Sequence, residues 1–117
     1  MKIKDYEIRD IKKFCELFLL DYGKTEKAMI WLRDSYNESI FIMTEDFQDV
    51  IIKSMTTFQN IVDYFKGIRE VGKFNKISFS EHLILIKKMS NAGIKGSEAG
   101  TNLENLIIKL KLKNSCG

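Results

Sequence analysis

The sequence predicts an all-α protein, and three observations carry that prediction. Its 117 residues contain no proline. Apolar residues recur every three or four positions along most of the chain, the spacing that lines one face of an α-helix. Residues that cap or end helices fall between those stripes. Together they predict a compact bundle of five or six short helices, forming a single domain over residues 1–117. Eight Phe, four Tyr and one Trp, with many Ile and Leu, supply a core without metals or disulfides.

The first stripe is Ile8, Ile11, Cys15, Phe18, Leu19 and Tyr22, and Gly23 is expected to end it. A second helix is expected over about 24–37, using Ala28, Trp31 and Leu32. Residues 40–43 break the pattern and read as an extended link or a buried turn. Thr44 then reads as an N-cap, with Glu45 and Asp46 placed where the positive end of the helix dipole favours acids. Phe47, Val50, Ile51 and Met55 would form the inner face of that third helix.

Thr57 can cap a fourth helix, whose stripe of Phe58, Ile61, Val62, Phe65, Ile68 and Val71 is the most regular in the chain. Gly72 and Asn75 mark a turn. Ser78 and Glu81 have the spacing of a capping box, in which each side chain satisfies the other residue's free backbone amide. Leu83, Ile86 and Met89 continue the core face, and Asn91 and Gly93 end it. Ser97 offers a new cap, followed by Leu103, Leu106, Ile107 and Leu110. Residues 109–113 alternate with period two and read as a frayed tail.

Charge and cysteine usage exclude more than they assign. The net charge is +3, with an acidic excess over residues 1–60 and a basic excess over 61–117. So small an imbalance fits a solvated surface. Cys15 and Cys116 lie at opposite ends of the sequence and form no CxxC pair. Cys15, on the first apolar stripe, reads as a buried thiol and Cys116 as an exposed one. The longest apolar runs are far too short to span a bilayer, and no signal-peptide pattern follows Met1. Cytoplasmic residence, or delivery within an assembly, is the expectation.

Three of the seven glycines fall in "SNAGIKGSEAGTNL", residues 90–103. Gly93 stands where a helix ends, and glycine enters the left-handed region there without steric cost. Gly96 precedes the Ser97 cap. Gly100 falls within the first turns of the last expected helix, where glycine costs about 1 kcal/mol relative to alanine. With Ala92, Ile94, Ser97, Ala99 and Thr101, these glycines make a small-residue packing or interaction motif. A phosphate cradle is disfavoured, because the spacing is not GxGxxG, no GK[ST] follows and no strand precedes it.

Residues 89–103, "MSNAGIKGSEAGTNL", resemble the signature segment of bacteriophage tail tape-measure proteins. In that family a helix ends in a similar Ala-Gly-Ile-Lys-Gly-Ser run, followed by Ala-Gly-Thr and a leucine-bearing helix. The likeness extends upstream through residues 56–88, including the Ile77-Ser78-Phe79-x-Glu81 entry to a helix. It is best over about 56–110, and a tape-measure-like segment of about 41–112 leaves 1–40 unmatched. Two departures stand out: Glu104 replaces a basic position, and Leu83 to Ile86 replace an alanine-rich stretch.

What the resemblance implies is a non-enzymatic phage or prophage protein–protein interaction module, acting in tail assembly. Its partner would be a tail component or a host or phage target, with self-association as a further option. Its place would be the bacterial cytoplasm or the phage tail. Even as one continuous helix the chain would reach only about 175 Å, so a ruler role is not expected of it. The alternative is a free-standing inhibitor or decoy from a mobile element, acting on a host defence factor or a superinfecting phage.

A DNA-binding helix-turn-helix is a weaker reading. The would-be recognition helix over 97–104 carries Glu98 and Glu104 and no Lys or Arg, the wrong sign for phosphate. Nucleic acid and membrane are therefore not expected partners. The lone histidine, His82, reads as a surface or partly packed residue rather than a catalytic one. Trp31, Phe14 and Tyr36 could form an aromatic patch, more in keeping with a core than with a ligand site. No catalytic, metal-binding or cofactor-binding residues are expected.

Overall fold

The computed structural model describes residues 3–71 and 77–93. Among them are five α-helices and no strand: α1 (Asp5–Phe18), α2 (Tyr22–Tyr36), α3 (Ile40–Ser54), α4 (Phe58–Val71) and α5 (Phe79–Asn91). The all-helical prediction therefore holds. The expected turn at Gly72 and Asn75, the Ser97 cap, the final stripe over 103–110, the 109–113 tail and Cys116 lie outside the described residues.

The chain divides into two units, Met1–Asp49 and Val50–Gly117. In the first, α1 begins at Lys4, whose side chain has no acceptor to offer as a cap. The carboxylate of Glu7 supplies the reverse half of a capping box instead, accepting the Lys4 amide N–H at 3.0 Å. Ile11, Phe14 and Cys15 are buried on the inner stripe of α1. The helix does not run on to Gly23 as expected. It stops at Leu19, a non-glycine residue in the left-handed region (φ 54°), and the Leu20 amide donates back to the Cys15 carbonyl at 2.9 Å. Leu19 is 93 % exposed, so its place in the apolar stripe is corrected too.

Asp21 then caps α2, accepting from the Lys24 amide at 2.9 Å. Tyr22 and Gly23 accordingly belong to the first turn of α2 rather than to the end of α1. Met29 and Leu32 are its buried apolar residues, and Asn37 ends it in the left-handed region.

Residues 40–43 are helical rather than a link. The Met43 amide donates to the Ser39 carbonyl at 2.9 Å, which starts the ladder four residues before Thr44. Ile40, Met43, Phe47 and Val50 follow at helical spacing, all at most 1 % exposed. Thr44 is consequently no N-cap. Its hydroxyl is buried inside the helix and donates to the Phe41 carbonyl at 2.8 Å, and Glu45 and Asp46 fall in the second turn. Phe14 packs at the centre of this unit, its ring 5.0 Å from Phe18 and 6.2 Å from Phe47 between centroids.

In the second unit, the end of α3 passes into α4 through Met55, which has φ 51° and is 85 % exposed. It is not on an inner face. Thr57 caps α4 as expected, accepting from the Asn60 amide at 3.1 Å. Phe58, Ile61, Val62, Phe65 and Ile68 are buried, and so is Tyr64. Ser78 caps α5, accepting from the Glu81 amide at 3.2 Å. Phe79, Leu83, Ile86 and Met89 line the buried face of α5. The Phe65 and Phe79 rings stack at 5.6 Å between centroids, with 6° between their planes. A buried aromatic brings both area and a preferred geometry to a small core.

Candidate functional site

Of the residues singled out from the sequence, the structure describes Ala92 and Gly93. Ile94, Gly96, Ser97, Ala99, Gly100 and Thr101 lie outside the described residues. Ala92 closes α5, its amide donating to the carbonyls of Lys88 and Met89. Gly93 follows with φ +85°, the left-handed conformation that glycine adopts without strain. Asn91, Ala92 and Gly93 are all exposed. A Cβ built on Gly93 would meet nothing within 4 Å. Glycine is needed at this position for its backbone angle and not for a neighbour's close approach, as the end-of-helix reading required.

Two polar arrangements that sequence reasoning missed hold helices together. Arg33 on α2 reaches Glu7 on α1, with Nη1 donating to Oε2 at 3.1 Å and to Oε1 at 3.2 Å. The two side chains are only 16 % and 11 % exposed. Arg33 Nε also donates to Asp34 at 3.2 Å. In the second unit the Tyr64 hydroxyl lies 2.7 Å from Nδ1 of His82, with the Phe65 ring edge-on to the imidazole at 5.4 Å.

His82 is 1 % exposed, which corrects its reading as a surface or partly packed residue. Burial pushes its pKa down to about 4, so the imidazole is neutral at pH 7. The signal was present in the sequence. Phe79, His82, Leu83 and Ile86 are spaced as one helical face, and Tyr64 sits between Ile61 and Ile68 on another.

The members of the aromatic trio differ in burial. Phe14 is fully buried, while Trp31 is half-buried beside an open groove of about 500 Å³. That groove is lined by Lys27, Ile30, Trp31, Asp34 and Ser35, all on the outward side of α2. Among the described residues, no group of His, Cys, Asp and Glu could hold a metal ion, and no helix is long and apolar enough to cross a membrane.

Comparison with known proteins gives a family. No curated protein and no solved structure matches the chain. A family model does match, from residue 19 to residue 115. The match reaches upstream of the tape-measure-like segment of about 41–112 read from the sequence, taking in α2, which lies in the stretch that had no counterpart. Over that span, five-sixths of its length, the chain belongs to the family of phage-related minor tail proteins.

Proposed function

We propose that the chain is a non-enzymatic protein–protein interaction module of a phage or prophage tail, related to part of a tail tape-measure protein. The observation that carries this reading is the family match over residues 19–115, taken with the tape-measure-like run over 89–103. The partner is a tail component, and the docking surface is the small-residue segment from Ala92 to Thr101. Its described beginning supports that choice. Asn91, Ala92 and Gly93 are exposed, with open space beside Gly93, so a partner's backbone can approach there.

The reading also fits the element lengths. The longest described helices have 15 residues, about 22 Å at 1.5 Å per residue, which suits a folded module rather than a measuring rod. Among the described residues, Glu7 and Arg33 join α1 to α2, and Tyr64 and His82 join α4 to α5, which is a structural use of buried polar groups.

The test is biochemical fractionation of tails. Tails purified from the producing strain should contain the protein in fixed proportion to the other tail components. A Gly100→Leu variant that keeps its helical circular dichroism should be lost from them. Tails that assemble normally and lack the wild-type protein would refute the proposal. Incorporation of the Gly100→Leu variant at the wild-type level would refute the assigned surface.

A further inference from the structure

We propose that the outward face of α2 is a self-complementary docking surface for α2 of a second copy of the chain. The two helices would pack antiparallel about a two-fold axis passing between Ile30 and Trp31. This stands apart from the tail partner proposed above and uses a different surface.

The argument rests on how the groove residues are placed. Lys27, Ile30, Trp31 and Asp34 occupy one face of α2 at helical spacing, beside the open groove of about 500 Å³. Lys27 and Asp34 are exposed at its two ends, while Ile30 and Trp31 are half-buried at its middle. In a two-fold contact every pairing occurs twice, residue i on j and j on i. With the axis between Ile30 and Trp31, Ile30 of one copy faces Trp31 of the other. Lys27 of each faces Asp34 of the other, at both ends of the contact. A parallel arrangement would set like charges side by side.

An antiparallel neighbour also sets opposite helix-dipole ends together. One helix–helix contact buries less than the roughly 1,200 Å² of a standard interface, so association should be weak and concentration-dependent.

Sedimentation of the full chain, from micromolar to several hundred micromolar, tests this directly. The wild type should show a monomer–dimer equilibrium that weakens with added salt. Lys27→Asp and Asp34→Lys each create two like-charge juxtapositions, and each should weaken the dimer about tenfold or more. An equimolar mixture of those two variants should associate again, because each then presents the charges the other lacks. A wild type that stays monomeric throughout would overturn the proposal, as would a mixture no stronger than its separate components.

Circular dichroism of each variant verifies folding. A second measurement on the wild type needs no variant at all. Carbodiimide cross-linking of an isotopically mixed sample should join Lys27 to Asp34 between differently labelled chains. Within one helix those residues are about 10.5 Å apart, too far for a zero-length link. Absence of the mixed-label link in samples concentrated enough to dimerise would overturn the two-fold geometry.

Discussion

The hydroxyl of Tyr64 on α4 lies 2.7 Å from Nδ1 of His82 on α5, and both side chains are at most 1 % exposed. Which of the two atoms donates follows the imidazole tautomer, since a tyrosine hydroxyl can give or accept a hydrogen bond. Burial, however, requires that the ring stay uncharged near pH 7.

That requirement makes stability depend on pH in a defined direction. Burial lowers the pKa of His82 from its ordinary 6.5 to about 4. Between those values the unfolded chain binds a proton that the folded chain refuses, so the stability contribution is fully present above about pH 6.5 and is lost as pH falls toward 4. Each pH unit in that window costs up to about 1.4 kcal/mol. Urea unfolding between pH 7.5 and 5, above most carboxylate titration, should show this slope, and a His82→Leu variant should flatten it. An unchanged slope in the variant would mean that His82 is not the group responsible.

The Glu7–Arg33 pair gives a prediction of a different kind. Breaking a mostly buried ion pair from one side leaves a charge without its counterpart, whereas replacing both partners removes the desolvation cost as well. Glu7→Ala also deprives the Lys4 amide of its acceptor. We expect Glu7→Ala to cost about 2 kcal/mol, with Arg33 retaining only Asp34. The double variant Glu7→Leu/Arg33→Met should recover most of that loss. Chemical denaturation of the single and double variants checks it, and additive losses would show that the two groups are not coupled.

The same backbone conformation is met at Leu19 and at Gly93 by opposite residue choices. Leu19 has φ 54° and a side chain 93 % exposed, so it bears left-handed strain and buries almost nothing in return. Leu19→Gly should stabilise the fold by about 1 kcal/mol. Gly93 has φ +85° and open space where a side chain would go, so Gly93→Ala should cost about 1 kcal/mol through the backbone alone. Thermal melts of the two variants should move in opposite directions.

Those two positions also show what the sequence could reveal. Where a helix ended on glycine, as at Gly93, or began on a side-chain cap, as at Thr57 and Ser78, the boundary was legible from residue type. Where α1 ends on Leu19 it is not, because leucine carries no left-handed signal and the next glycine, Gly23, lies four residues further on. Residues 40–43 misled for a related reason. A run of large apolar residues looks alike in a buried turn and in the first turn of a helix, and Thr44 resembled a cap while bonding back to Phe41.

The candidate site divides along similar lines. A small-residue run announces itself by composition. Glu7 and Arg33, 26 positions apart, carry no local mark of their pairing. His82 and Tyr64 were readable from their apolar neighbours, but only by allowing polar residues onto a core stripe.

Cys15 is the remaining group whose chemistry the fold decides. It lies on the buried face of α1 at 7 % exposure. Burial raises its thiol pKa, a hydrogen bond with Thr25 draws it partly back, and the Asp21 carboxylate pushes it up again. A thiol held protonated and away from solvent is a poor nucleophile, since the thiolate is the reactive species. In a Cys116→Ser background, labelling of Cys15 by an aromatic disulfide reagent at pH 8 should therefore be slower than in urea by about a hundredfold or more, limited by opening of the helix pair. Leu32→Ala, which loosens the same core, should speed labelling of the folded protein in proportion to its loss of stability. A native rate equal to the urea rate would mean that α1 does not shield the thiol.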